Sequence, residues 1–107
     1  MNKPLTRASV IRTLRKQKPR WRAEYGVEKI ALYGSFAKGA ANRRSDVDIL
    51  VQLTRPLGLE FVQLAFDIEK ALGRKVDLAT FDTFQRGRAH PHYARIAEDI
   101  EKTMRYV

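Results

Sequence analysis

Residues 30–51 read Ile30-Ala31-Leu32-Tyr33-Gly34-Ser35-Phe36-Ala37-Lys38-Gly39-Ala40-Ala41-Asn42-Arg43-Arg44-Ser45-Asp46-Val47-Asp48-Ile49-Leu50-Val51. The run from Glu28 to Tyr33 is rich in β-forming residues, and it stops at Gly34-Ser35, where a turn and a new helix start are both easily formed. After the loop from Gly39 to Ser45, the segment Asp46 to Leu53 is β-rich again. Its alternation places Val47, Ile49 and Val51 on one face and Asp46 and Asp48 on the other. The local order is strand, turn, helix, loop, strand.

On the N-terminal side, Leu5, Ala8, Ile11 and Leu14 recur every three residues behind Thr6, a candidate N-cap. This predicts an amphipathic helix that Pro19 interrupts, then a short turn through Trp21 and Tyr25 that ends at Gly26. On the C-terminal side, Leu59 to Leu72 carries Leu59, Phe61, Val62, Leu64, Phe66 and Ile68, a wide apolar stripe of the kind a helix lays on a sheet, with Gly73 as its stop. Lys75 to Ala79 reads as a third strand. Thr80 to Pro91 reads as irregular, and Tyr93, Ile96, Ile100, Met104 and Val107 mark a closing amphipathic helix. The prediction is one α/β (α+β) domain over residues 1–107, a small mixed β-sheet flanked by helices.

Two carboxylates at i and i+2 of a strand project together, close enough to hold a hard divalent cation through oxygen. Like charges aligned on a mostly apolar strand oppose folding unless a cation neutralises them, so Asp46 and Asp48 ask for a metal. The bland alternative is a pair of exposed strand aspartates capping the loop from Arg43 and Arg44. Gly34-Ser35 shifts the balance, because glycine permits close backbone approach while the serine hydroxyl and free amides of a helix start attract phosphate oxygens. Gly-Ser, ten residues and Asp-x-Asp together should arise by chance in about one chain per thousand of this size. The pattern sets a phosphate cradle beside a metal clamp, which suits a metal-bound triphosphate.

At these residues the chain resembles the minimal nucleotidyltransferases of the DNA polymerase β-like superfamily, whose hallmark is this Gly-Ser and Asp-x-Asp spacing. The resemblance runs through essentially the whole chain: a third carboxylate on a later strand is expected, and Val76-Asp77-Leu78 stands one helix after Asp-x-Asp. It implies the polymerase β-like nucleotidyltransferase fold. It implies that Asp46, Asp48 and Asp77 hold two Mg²⁺ ions around the α-phosphate of ATP, and that Gly34 and Ser35 hold the β- and γ-phosphates. Lys38 stands where many relatives carry Arg; the charge is kept but the bidentate fork is lost. Small stand-alone members resemble the antitoxin of a two-gene system, which adds AMP to a tyrosine of a HEPN-type toxin and silences it. Two other readings are a non-catalytic antitoxin that neutralises its partner by contact, and nucleotidyl transfer to RNA or a small molecule.

Lys and Arg outnumber Asp and Glu by 21 to 12, a net +9, which favours polyanionic or acidic partners. Much of the excess sits in Arg12, Arg15, Lys16, Lys18, Arg20 and Arg22, at spacings that suit the solvated face of a helix at least as well as a binding stripe. The chain has no cysteine, which excludes disulfides and thiolate metal sites and makes a reducing cytoplasm the default. No apolar run suggests a signal peptide or membrane span. Because no second domain is expected after Val107, the acceptor surface is expected from a partner in a hetero-oligomer, with nucleic acid the less favoured acceptor. His90-Pro91-His92 lacks the further ligands of a zinc site and reads as loop. Asp82 is an alternative third carboxylate, Phe81, Phe84 and Trp21 read as core or core edge, and Arg86 and Arg88 as solvated.

Overall fold

A computed structural model describes residues 5–42 and 44–107, and the N-terminal Met1–Pro4 and Arg43 of the readings above lie outside the described residues. Helix α1 (Arg7–Tyr25) leads into strand β1 (Val27–Tyr33), the short helix α2 (Gly34–Lys38) and strand β2 (Val47–Leu53). Helix α3 (Leu59–Leu72) and strand β3 (Val76–Thr80) follow, then α4 (Phe81–Arg88), α5 (Ala94–Thr103) and the two-residue strand β4 (Arg105–Tyr106). The sheet order is β3-β2-β1-β4, with β1 antiparallel to β2 and β4, and β2 parallel to β3. This is the expected small mixed sheet flanked by helices.

The core lies where α1 and α3 cover one sheet face. Val47, Ile49 and Val51 of β2 are fully buried there, with Ile30 and Leu32 of β1, against Val10, Leu14 and Trp21 of α1 and Leu64 and Ile68 of α3. The other face carries Tyr33, Asp48 and Asp77 in one cross-strand row, because Tyr33 pairs with Asp48 and Asp48 with Asp77. Among the described residues, no helix is long and apolar enough to cross a membrane.

Several expectations are corrected. Pro19 does not end the first helix, which runs through to Gly26 and its left-handed cap. Pro19 is exposed, so the Arg15 carbonyl it leaves without an amide donor can face water, while buried Val10 and Leu14 before it and Trp21 and Tyr25 after it hold both halves on one core. Thr6 is the expected N-cap, its hydroxyl accepting from the Ser9 amide at 3.1 Å in a reciprocal box. The apolar stripe of α3 is narrower than its sequence suggests: Leu59, Val62 and Phe66 are exposed, because the helix turns only Leu64, Ile68 and Leu72 fully inward.

Thr80 to Pro91 is mostly helix rather than irregular; the Thr80 side chain caps α4 by accepting from the Thr83 amide at 3.1 Å, a start that Gly87 and Pro91 obscured. The closing helix is shorter than predicted. It stops at Thr103, and Arg105–Tyr106 pairs with β1, where Val107 donates to the Ile30 carbonyl at 2.9 Å. Tyr93 and Ile96 of the predicted stripe are exposed, and Ala97 is the one buried residue of α5 among those described.

Pro19→Ala should raise the stability of the chain, since it restores an amide to the Arg15 carbonyl inside a continuous helix. The gain should be about 1–2 kcal/mol after the offsetting loss of unfolded-state rigidity. Urea unfolding followed by far-ultraviolet circular dichroism measures it; an unchanged midpoint would mean the helix already compensates for the proline.

Candidate active site

β1 ends where Gly34 takes φ 71°, a left-handed conformation that L side chains resist. A Cβ on Gly34 would collide with Asp48 Oδ2 and come within 3.1 Å of Asp48 Cγ. The glycine is therefore needed twice, for the turn and for the space that the carboxylate occupies. Ser35 follows, half-buried at the start of α2, and Tyr33 supplies no side-chain cap to that helix, so its first amides stay available.

The loop between α2 and β2 is held by its own polar groups. Asn42 Oδ1 accepts from the Arg44 amide at 2.8 Å, and Ser45 Oγ accepts from the Asn42 amide at 3.0 Å. Arg74 fixes this loop from the bend between α3 and β3, its guanidinium donating to the Ser45 carbonyl at 3.0 Å and the Asn42 carbonyl at 3.3 Å and lying 5.9 Å from the Phe36 ring centre. Arg74 is thereby the clamp that sets the residues leading into Asp46, a role with no signal in the local sequence. Among the described residues neither Arg74, Lys75 nor Arg44 forms an ion pair with Asp46, Asp48 or Asp77.

Asp46 stands just before β2, Asp48 is its second residue, and Asp77 is the second residue of β3. The parallel register sets Asp48 beside Asp77, at the roughly 4.8 Å separation of neighbouring strands. Burial, then the charges of Asp77 and Asp46, push the Asp48 carboxyl above its usual range. Tyr33 lies on the other side of Asp48, and its phenol is pushed up to about 12 by burial and then by Asp48 and Asp77. Asp82, the alternative third carboxylate, is exposed in the first turn of α4, outside the row formed by Asp48 and Asp77.

Among the described residues, no three acidic or histidine side chains close around one ion by themselves. The donors are nonetheless of the kind Mg²⁺ takes: all oxygen, mutually repelling, and short of positive charge. Mg²⁺ typically uses one or two carboxylates and completes its shell with water and substrate phosphates, so an open carboxylate set fits it in a way that a closed protein cage would not.

The other candidates divide. Lys38 is on the surface, 2.9 Å from Asp99 of α5, tying α2 to the C-terminal helix. His90 and His92 lie in the turn between α4 and α5, exposed, with ring centres 5.2 Å apart. Trp21 is fully buried in the core, and Phe81 stacks on Tyr106 with centroids 6.1 Å apart.

A family model described as a nucleotidyltransferase domain matches residues 14–107. The chain belongs to this nucleotidyltransferase family. Protein adenylyltransferase MntA of Thermococcus cleftensis is 36% identical to it over 86 residues, 79% of this chain and 87% of that protein. A structure described as a minimal nucleotidyltransferase superposes with a TM-score of 0.67 at 25% identity, covering 94% of this chain and 95% of the other. A chain from a toxin–antitoxin structure with AMP-PNP shares the fold, with a TM-score of 0.58 at 24% identity over 95% of this chain and 72% of its own length. The polymerase β-like fold and the minimal nucleotidyltransferase class expected from the sequence are thus found, and the chain is an enzyme of nucleotidyl transfer.

Two outcomes follow for this nucleotidyltransferase. Gly34→Ala should lower transfer on the order of 100-fold, by displacing Asp48, with a fold loss of about 1–2 kcal/mol from the left-handed backbone; initial rates and thermal melting separate the two effects. In chelator, Asp48→Asn should be more stable than the parent at pH 7. A carboxyl raised in the folded state holds its proton more tightly there than in the unfolded chain. The parent therefore loses stability as pH rises from the ordinary value of 3.8 through the raised one, and the asparagine variant does not. The two melting curves should converge below pH 3.8, and a gap that persists there would assign the difference to packing.

Proposed function

We propose that this nucleotidyltransferase transfers AMP from ATP to a hydroxyl, a tyrosine, of a cognate HEPN-type toxin, and so acts as its antitoxin. The observation that carries the reading is the row of Asp48 and Asp77 beside Gly34, a carboxylate pair that needs positive charge next to a turn that can approach phosphate. The protein acceptor is supported by the relative named a protein adenylyltransferase. The exposed Leu59, Val62 and Phe66, on one face of α3, support a partner protein, since contiguous apolar surface marks interaction sites. We further take residues 1–107 as one domain acting in the cytoplasm.

In this reading the Gly34 backbone and the Ser35 hydroxyl hold the β- and γ-phosphates, with the uncapped amides of α2 as additional donors. Asp46, Asp48 and Asp77 would hold Mg²⁺, which would supply the charge neutralisation that the leaving pyrophosphate needs. Asp77, the most exposed member of the row, orients the acceptor hydroxyl and takes its proton. The acceptor oxygen bonds to the α-phosphorus, the bond from that phosphorus to the bridging oxygen of the β-phosphate breaks, and pyrophosphate departs in line. Tyr33 closes the row beside Asp48 and keeps its proton at working pH, which leaves it a neutral neighbour rather than a third negative charge. Arg74 keeps the loop before Asp46 in place throughout.

Co-incubation of the enzyme with ATP, Mg²⁺ and the product of the neighbouring gene should raise the partner's mass by about 329 Da for each AMP added. Intact mass spectrometry reads it, with Asp46→Asn/Asp48→Asn and added chelator as controls. An unmodified partner that is inhibited equally by both proteins would replace this reading with a contact antitoxin; label from α-³²P-ATP found only in RNA or a small molecule would move the acceptor there.

A further inference from the structure

Helix α1 presents to solvent a face whose only charged groups are cations. Opposite its buried residues Val10, Leu14, Trp21 and Tyr25 lie Ala8, Arg12, Arg15, Lys16, Pro19, Arg22 and Ala23, all exposed. The spacing from Arg12 is i, i+3, i+4, i+7, i+10 and i+11, one continuous stripe. At 1.5 Å rise per residue the four cations extend over about 15 Å. No carboxylate interrupts the stripe; Glu24, the one acid of α1, lies to its side, 3.8 Å from Arg20. Among the described residues, Arg12, Arg15, Lys16 and Arg22 have neither an ion-pair nor a hydrogen-bond partner, whereas Arg7, Lys18 and Arg20 are each engaged on the protein itself.

We propose that this face of α1 is a docking surface for the phosphate backbone of duplex DNA. An acidic protein surface is the weaker match, because protein interfaces are anchored by aromatic and apolar side chains at their centres and this stripe holds only two alanines and a proline between its cations. Single-stranded nucleic acid is the weaker match for a related reason: it needs aromatic side chains on which bases stack, and Trp21 and Tyr25 of this helix are buried in the core. A helix of roughly 10–12 Å diameter fits the major groove of B-form DNA, about 12 Å wide, whereas the A-form major groove of RNA is too narrow to admit it. A 15 Å stretch of B-DNA carries about nine phosphates, more than enough for four cations. The small residues between them allow close approach, and cations that meet phosphates rather than base edges make the contact independent of sequence. The surface is separate from the carboxylate row, which lies on the sheet face that α1 does not cover.

The test is fluorescence anisotropy of a labelled duplex of about 20 base pairs titrated with the full chain between about 50 and 200 mM salt, where four phosphate contacts should give a log–log slope near −3.6. Two duplexes of unrelated sequence should bind alike. Arg12→Gln/Arg15→Gln/Lys16→Gln/Arg22→Gln should keep its circular dichroism spectrum and lose at least about tenfold in affinity at the lowest salt, with a nearly flat slope. Lys29→Gln/Lys70→Gln/Lys75→Gln/Lys102→Gln, which removes the same charge from exposed positions elsewhere, should bind like the parent, as should Asp46→Asn/Asp48→Asn. Equal loss in both quadruple variants would reduce the effect to bulk charge and overturn the proposal. So would tighter binding of duplex RNA, or displacement of DNA by polyglutamate at matched charge.

Discussion

Asp48 is held between like charges and beneath a glycine that leaves no room for a methyl group, and this crowding orders much of the rest of the molecule. Its backbone is fixed by the antiparallel pairing to Tyr33 and the parallel pairing to Asp77, so the side chain cannot leave the row without breaking a strand. Burial and repulsion raise its carboxyl above the usual range, which stores an unfavourable interaction in the fold. The interaction is tolerated because the opposite face of the same strand, Val47, Ile49 and Val51, is fully buried against α1 and α3. Core burial on one face of β2 thus stabilises electrostatic strain on the other, and a phosphate-bound cation can relieve it.

The parts of this arrangement differ in how openly the sequence declares them. Gly34-Ser35 and Asp46-x-Asp48 were legible because each rests on a local rule: a glycine at the end of a strand, and a two-residue strand period that aims two carboxylates one way. Asp77 was legible as a strand residue, but its register against Asp48 is a property of the sheet. Arg74 could not be read, because its partners are carbonyls 29 and 32 residues away and any arginine looks alike in the chain. Tyr33 read as an ordinary β-former until the register placed it beside Asp48.

The misread boundaries have a common cause: tertiary contacts overrode local preference. Pro19 lies inside a helix because hydrophobic side chains on both sides of it reach the same core, and that burial outweighs one missing hydrogen bond at an exposed turn. Leu59, Val62 and Phe66 looked like core because periodicity reports a face without saying what covers it. Arg105–Tyr106 looked like the end of a helix because a two-residue strand has no periodicity to detect; only the free edge of β1 makes it a strand.

Charge distribution joins these observations. The chain carries +9 in total, yet its site is a cluster of negative groups, so the positive charge must lie elsewhere, and α1 holds a large part of it on its outward face. A net positive surface raises the local concentration of a triphosphate and speeds its encounter with the protein. It cannot neutralise the row of aspartates, because no described lysine or arginine forms an ion pair with any of the three. In the function proposed above, the charge that the row lacks comes from a cation bound with the substrate. Had Arg74 paired with Asp77, the fold would gain a salt bridge and the row would lose part of its negative charge. Its commitment to the Ser45 and Asn42 carbonyls instead leaves Asp77 without that partner and engages the guanidinium in holding the loop that leads into Asp46.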